Sequence, residues 1–527
     1  MVFPLEWQCR ERCEALSKAN VGPKIGRWPL GPLSSASPRT GSGNAEPVWS
    51  DVPKWAVSPR LLLTLFGLVA TGVALGILGV EPQVCVGVAL GGAAIIGAAS
   101  SVSIGLAAIM IGVSLFQREE LFSFSIPLFE GGLKPTDLLL VATLAGWAVR
   151  SCLRTGRHRP VPRSVLVIVL SFVTWGVGSV LLGVLRGNYY KYGLTELRPL
   201  LLYLLVLAVV AELGELKVRW LVHATVATGL VVATKAVILF AQGAGSLATY
   251  TQGSVRIRSV SFDCILVALV FCLALGATMA RAWPYLVSAA VLSAGLIVTF
   301  QRAAFLALVL VLGFFVVYIR GRQRLRLSLV CVGVVTIGLG IRGVQTLTGQ
   351  DATLLGALTT RLASIGAYRT DVSAGHRLQE WSRAWEMIQD HPILGNGLGA
   401  EIDFLSPMYN EVDPTAGYWS HDTYMHNSYL WFLTKMGVIG IVLFAALIGL
   451  AGGEVRRQLR AASSGSSYDL TVALGGALIA QLVTSVFFPM FNVDDTVPFV
   501  VLLLGGIFSL GLPQASGWRP SAVTWPS

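Results

Sequence analysis

Long apolar runs, repeated from near one end of the chain to the other, constrain this sequence more than anything else in it. The run Leu61–Val80 holds no charged residue, and about 20 apolar residues are what an α-helix needs to cross a bilayer. In lipid each backbone N–H and C=O must be satisfied inside the segment, so such runs fold as helices. Of the 527 residues, 54% are hydrophobic and 13% charged; a soluble chain would carry about 25% charged residues. A cytosolic enzyme, a nucleic-acid-binding domain and a disulfide-rich secreted module are excluded. The seven cysteines form no CxxC pair and none lies in the longest polar loop, so cysteine chemistry is not expected. The predicted fold class is an all-α polytopic membrane protein.

Charge and proline delimit fourteen candidate spans. They are Leu61–Val80, Val84–Ser100, Val102–Phe116, Thr136–Val149, Val165–Leu185, Pro199–Leu213, Trp220–Phe240, Ile265–Met279, Pro284–Phe300, Ala303–Ile319, Leu327–Ile341, Ser428–Leu450, Leu470–Phe487 and Val497–Leu512. If Val84–Phe116 is a re-entrant pair, the count falls to twelve. Residues 1–60, rich in Pro, Ser and Gly, lack a signal-peptide core and cleavage site and read as a mostly disordered cytoplasmic leader. Helices then occupy 61–342 and 428–513, with a large loop at 343–427 and a short cytoplasmic tail at 514–527.

Basic clusters orient the bundle. Arg150, Arg154, Arg157, Arg159 and Arg163 form one, Arg320, Arg322, Arg324 and Arg326 a second, and Arg456, Arg457 and Arg460 a third. With the N-terminus inside, all three fall on the cytoplasmic side, as the positive-inside rule asks. The net charge of +11 therefore reports orientation and not nucleic-acid binding. The other side receives the 186–198 and 241–264 loops, the Gln301–Arg302 turn, the Asn492–Thr496 turn and the long loop.

A loop of this length between spans is where function is expected. It holds four of the six histidines: His376, His391, His421 and His426. Leu378, Trp381, Trp385 and Ile388 recur at helical spacing, Pro392 stops that helix, and Gly395, Gly397 and Gly399 make a turn. This amphipathic helix suits the lipid–water boundary and equally suits a lid packed on the bundle. His426 sits just where the chain enters the next span, a rigid place to hold a proton-transfer group. Imidazole titrates near neutrality and serves as a general base. The rival use is a zinc site from His421, Asp422 and His426, but no HExxH or cysteine accompanies them.

Several cations oppose the orientation bias. Arg186, Lys191 and Arg198 lie in one outer connection, Arg256 and Arg258 in another, and Arg302 sits between two apolar runs. Lys235 lies within a span near its outer end. Ordinary solvation accounts for Arg256 and Arg258. An arginine within or beside the bilayer costs a few kcal/mol, about 2.5–3.5 at its centre, unless it snorkels or meets an anion. Arg198 and Arg302 therefore read as anion-binding, and a diphosphate matches the guanidinium fork.

Three pieces resemble the O-antigen ligase and Wzy polymerase superfamily of bacterial polysaccharide assembly. His426-Asn427, nine residues, then Gly437-Val438-Ile439-Gly440 fits its histidine-led pattern ending in G-x-x-G. Arg377, Trp381, Ala384 and the run His391–Gly399 resemble its R-x3-W-x2-A and P-I-L-G-x-G-x-G stretch. Thr299–Ala304 resembles its T-x-S-R-G-A turn, with Gln301 and Ala303 in place of Ser and Gly. The resemblance covers roughly 122–512. It implies transfer of a glycan from an undecaprenyl-diphosphate carrier to an acceptor hydroxyl, with inversion and without metal or other cofactor. His426 would be the catalytic base; Arg302, Arg198 and Arg186 would contact diphosphate, with Lys235, Arg377, His421 and Asn427 in support. The acceptor would be a saccharide or a second lipid-linked unit, in contact with membrane lipid, and a flippase and chain-length regulator are possible partners. The location would be the bacterial inner membrane, with the site extracytoplasmic and both termini cytoplasmic. A bicarbonate-type solute transporter is the alternative.

Overall fold

The computed structural model describes residues 82–115, 134–153, 159–242, 246–247, 255–256, 261–279, 282–299, 301–319, 321, 324–325, 328, 372–406, 418–461 and 465–512. All belong to one compact unit, Arg60–Ser527. The expected span Leu61–Val80, the span Leu327–Ile341 apart from Ser328, the leader, the tail and Arg258 lie outside the described residues.

The helices are α1 (Pro82–Ser100), α2 (Val102–Leu115), α3 (Pro135–Leu153), α4 (Arg163–Leu185), α5 (Tyr190–Leu202), α6 (Leu204–Glu212), α7 (Glu215–Ala241), α8 (Phe262–Thr278), α9 (Trp283–Val298) and α10 (Arg302–Tyr318), followed by α11 (Val372–Asp390), α12 (Ser428–Ala461), α13 (Ser466–Thr484) and α14 (Val497–Leu510). Two antiparallel pairs join them: β1 (Ser246–Leu247) with β2 (Val255–Arg256), and β3 (Ile402–Ser406) with β4 (Tyr418–Asp422). Six segments are long and apolar enough to cross a membrane, counting α5 and α6 as one. The chain is an all-α polytopic membrane protein whose only described strands are these short hairpins.

Burial follows lipid logic. Every side chain of α8 is buried, and α7, α9 and α13 pack around it. By contrast Val141, Val167, Leu181, Val309 and Val317, on outer helices, are exposed. A surface this apolar is stable against acyl chains and not against water.

One expected loop is corrected. Residues 186–198 read as a connection because of their charges, yet α5 starts at Tyr190 and carries Lys191, Glu196 and Arg198. Tertiary partners remove the cost of those charges. Glu196 forms a 3.0 Å ion pair with Lys435 of α12. Arg198 pairs with Asp137 at 3.2 Å and Asp494 at 3.7 Å. Pro199 lies within α5, and the helix breaks at Tyr203 before α6 resumes. The Tyr203 hydroxyl donates to the Phe491 carbonyl at 3.0 Å.

The helix α12 is kinked at Gly437, where φ is 67° and ψ −168°. A side chain there would collide with the Ile393 carbonyl and the Gly395 nitrogen. The kink turns two backbone donors outward: Val438 N–H reaches Pro392 O at 2.9 Å and Ile439 N–H reaches Ile393 O at 3.4 Å. Thus the loop after α11 docks into the break in α12. Its glycines Gly395, Gly397 and Gly399 have φ of 74°, 83° and 83°, which only glycine adopts readily.

Antiparallel packing fixes which ends coincide. Tyr468, opening α13, donates to the carbonyl of Tyr318, closing α10, at 2.6 Å. Gly476 of α13 lies against Phe315. The start of α10 and the end of α13 therefore share one end of the bundle. Ser428 N–H donates to Ser485 O at 3.0 Å, placing the start of α12 there too.

Lys435 is fully buried, and removing one member of a buried pair strands the other's charge. Lys435→Met should cost about 3–5 kcal/mol, read as a lower thermal unfolding midpoint in detergent. The double variant Lys435→Met/Glu196→Gln should recover most of that loss. Equal midpoints for single and double variants would show that the pair is not coupled.

Candidate functional site

His426 lies between β4 and α12, at the bundle end just defined. Asn427 caps the helix: its Oδ1 accepts from Tyr429 N–H at 2.9 Å and Leu430 N–H at 3.1 Å. The histidine–asparagine pair thus couples an imidazole to a rigid helix start. The carboxylate of Glu380, on α11, accepts the His426 backbone N–H at 3.2 and 3.1 Å, and its Oε1 lies 3.1 Å from His426 Nδ1. The His426 side chain is 28% exposed and that of Glu380 2%.

One turn before Glu380, His376 is buried with Nδ1 2.7 Å from Ser406 Oγ. Its ring meets that of His426 edge-on at 5.5 Å. Burial lowers its pKa from 6.5, followed by repulsion from His426. The opposing field of Glu380 and Asp422 is smaller than burial, and Arg377 adds to the lowering. The ring of Tyr424, 5.0 Å from that of His426, is 38% exposed. Its phenol pKa is nevertheless raised, first by desolvation around the hydroxyl and next by the charge of Asp495.

Arg377 faces the Phe488 ring at 5.4 Å, just beyond the end of α13. Arg302 is half-buried as the first residue of α10, and helix pairing puts it at the same bundle end. Arg198 is bound to Asp137 and Asp494 as described, and the neighbouring Asp495 acts on Tyr424. The turn around residues 494–495 therefore borders both groups. Arg186 donates to the Gly395 carbonyl, so it holds the glycine loop while a neutral partner leaves its charge in place.

Other expected residues lie apart. His421 pairs with Asp403 at 2.8 Å on the outer face of the hairpin. The zinc set weighed from His421, Asp422 and His426 is not a cluster among the described residues. Two different groups have donors within 4.8 Å of one another and could hold a metal: His376, Glu380 and His426, and the exposed Glu401, Asp403 and His421. Lys235 shares an open groove with Leu230, Val231, Thr234, Ile238 and Leu239, whose lining includes none of the residues around His426.

Sequence reasoning passed over Glu380, Glu196, Lys435 and the acids Asp137 and Asp494. A signal existed for Lys435, a single charge amid the apolar start of α12. Glu380 sits between Arg377 and Trp381 of the motif, with no local feature that sets it apart.

The site is thus an imidazole and a carboxylate at one end of a kinked membrane bundle, with arginines at that end. Residues 287–445 match the family model described as O-Antigen ligase. The match covers less than half of the chain and supports, for this part of it, a likeness to the O-antigen ligase and Wzy superfamily of membrane glycosyltransferases. The match spans α10, α11, His426 and the kink; Arg186, Arg198 and Lys235 lie before it. It does not favour the transporter. No curated protein matches the chain.

His376 should make stability acid-sensitive. With its folded pKa below 6.5, the unfolded chain takes up the proton first as pH falls. Its contribution is therefore full above pH 6.5 and lost below it. Between pH 7.5 and about 5.5, the wild-type unfolding midpoint should fall more than that of His376→Gln; an equal fall would refute this assignment.

Proposed function

We propose that this protein moves a glycan from an undecaprenyl-diphosphate carrier to an acceptor hydroxyl on the extracytoplasmic side of a bacterial inner membrane. The carrying observation is His426, partly open and anchored at the bundle end that also bears Arg302 and Arg377. The arginine clusters at Arg150–Arg163, Arg320–Arg326 and Arg456–Arg460 support cytoplasmic termini and an outward-facing loop at 343–427.

In this reading His426 takes the proton of the acceptor hydroxyl as its oxygen attacks the anomeric carbon. The bond from that carbon to the diphosphate breaks on the opposite face, inverting the centre. Arg302 receives the growing negative charge, and Arg198, held by Asp137 and Asp494, is the second diphosphate contact of this reading. Each charge-assisted hydrogen bond contributes about 1.5–3 kcal/mol, and fixed cations aimed at a leaving group are an efficient source of acceleration. No metal is needed for this route, because guanidinium groups supply the neutralising charge.

The acceptor decides between two outcomes of the same chemistry. A core saccharide or protein acceptor makes the enzyme a ligase, and a second lipid-linked repeat makes it a polymerase. The polymerase would work beside a flippase and a chain-length regulator.

In cells, His426→Ala should lower polymer formation roughly 10²-fold or more, and Arg302→Ala roughly tenfold or more. Chain length and attachment on gels provide the measurement. Wild-type product from both variants at normal protein levels would end the enzymatic reading.

A further inference from the structure

Glu380 is buried behind His426 and meets it at both backbone and ring. A carboxylate only accepts hydrogen bonds. The 3.1 Å contact to Nδ1 therefore assigns the proton of a neutral imidazole to Nδ1 and the lone pair to Nε2. The two contacts to the backbone N–H fix where the ring can pivot. We propose that Glu380 is the positioning residue for His426, holding the imidazole in the Nε2-accepting form toward the acceptor hydroxyl. This rests on the reading of His426 as the base.

The surroundings suit that role. Glu380 is 2% exposed and His426 28% by side chain, so the acid is the inner member of the pair and the ring the outer one. The carboxylate cannot swing away cheaply, because a buried anion without its donors is costly. His376, one helical turn earlier and tied to Ser406, packs edge-on against the ring and limits its tilt. When the acceptor O–H bond breaks and Nε2–H forms, the resulting imidazolium lies against the carboxylate. The positive charge then appears where a fixed anion already waits, which lowers the energy of the transition state relative to the ground state. Glu380 acts through His426 throughout and needs no contact with the substrate.

The same trio offers three metal donors, so the test separates the two uses. Full-length protein in detergent would be assayed with lipid-linked glycan extracted from host membranes lacking this protein, and with its native acceptor fraction. Glu380→Ala should lower the saturating rate roughly 10²-fold or more, with the half-saturating donor concentration changed by less than about threefold. Glu380→Asp and Glu380→Gln, which keep an acceptor, should retain more activity than Glu380→Ala. The double variant Glu380→Ala/His426→Ala should be no slower than His426→Ala alone, because the two residues work as a unit. Losses that multiply in the double variant, or a wild-type rate in Glu380→Ala when His426→Ala is inactive, would overturn the positioning role alone. Activity abolished by a chelator and restored by Zn²⁺ would also overturn it, by making the trio a metal site. A wild-type rate in His426→Ala would overturn the base assignment and Glu380's role with it.

Discussion

A lysine ammonium buried inside an apolar helix bundle is tolerable only if its partners are built around it, and Lys435 organises this protein's site in that sense. It pairs with Glu196 and donates to the Ala400 carbonyl, while Glu196 also accepts Gly399 N–H at 2.6 Å. Two helices and the glycine loop are thereby joined at one buried charge pair. The remaining polar groups of the loop are accounted for in turn. Asn396 N–H reaches Thr434 O at 2.8 Å, Gly397 N–H reaches Lys435 O at 2.9 Å, and Leu398 N–H reaches Ser179 O at 2.9 Å. Arg186 takes the Gly395 carbonyl and Asn188 that of Asn396. Irregular backbone at the edge of a bundle depends on such pairing.

That loop also fixes the end of α11. Because the residues directly after α11 are clamped in the α12 kink, α11 can present one face to His426 with little freedom. Glu380 and His376 lie on that face, and β3 packs against it. The chain then returns through β4 to His426 and the Asn427 cap. Both partners of the central contact therefore descend from α12: His426 directly through the cap, Glu380 through the docked loop. Preorganisation of this kind follows from having two routes to one rigid element.

Most of the bundle was legible in the sequence because a membrane span declares itself by hydropathy alone. Twelve of the candidate spans have a described helix over them, most with ends shifted by a few residues, while α5 starts well before Pro199 and α12 runs on from Leu450 to Ala461. What hydropathy misreads is charge that tertiary contacts neutralise. Lys191, Glu196 and Arg198 looked like a loop, and Lys435, Asp137 and Asp494, distant in sequence, explain why Glu196 and Arg198 are tolerated in a helix. The site was partly legible for the same reason. His426, Asn427 and the glycines belong to one local pattern, whose geometry (a cap, a kink, left-handed turns) is written in adjacent residues. Glu380 reaches His426 across 46 positions, and nothing local distinguishes it from Glu386, exposed two turns later on the same helix.

The arginines show why pairing and function are not alternatives. Asp137 and Asp494 face the Nε and Nη1 atoms of Arg198, yet a guanidinium has five donors in a rigid fork. The two carboxylates fix its plane. An arginine left to itself at a lipid boundary would snorkel toward water, losing the orientation that a bidentate phosphate contact requires. Holding it between acids weakens its net charge but preserves its direction, as the proposed diphosphate contact would require. Lys134 joins the same network through Asp494 at 2.8 Å, so two cations balance two acids there. The acids on this face thus work as splints for cations, and Glu380 behind His426 follows the same design with an imidazole in place of a guanidinium.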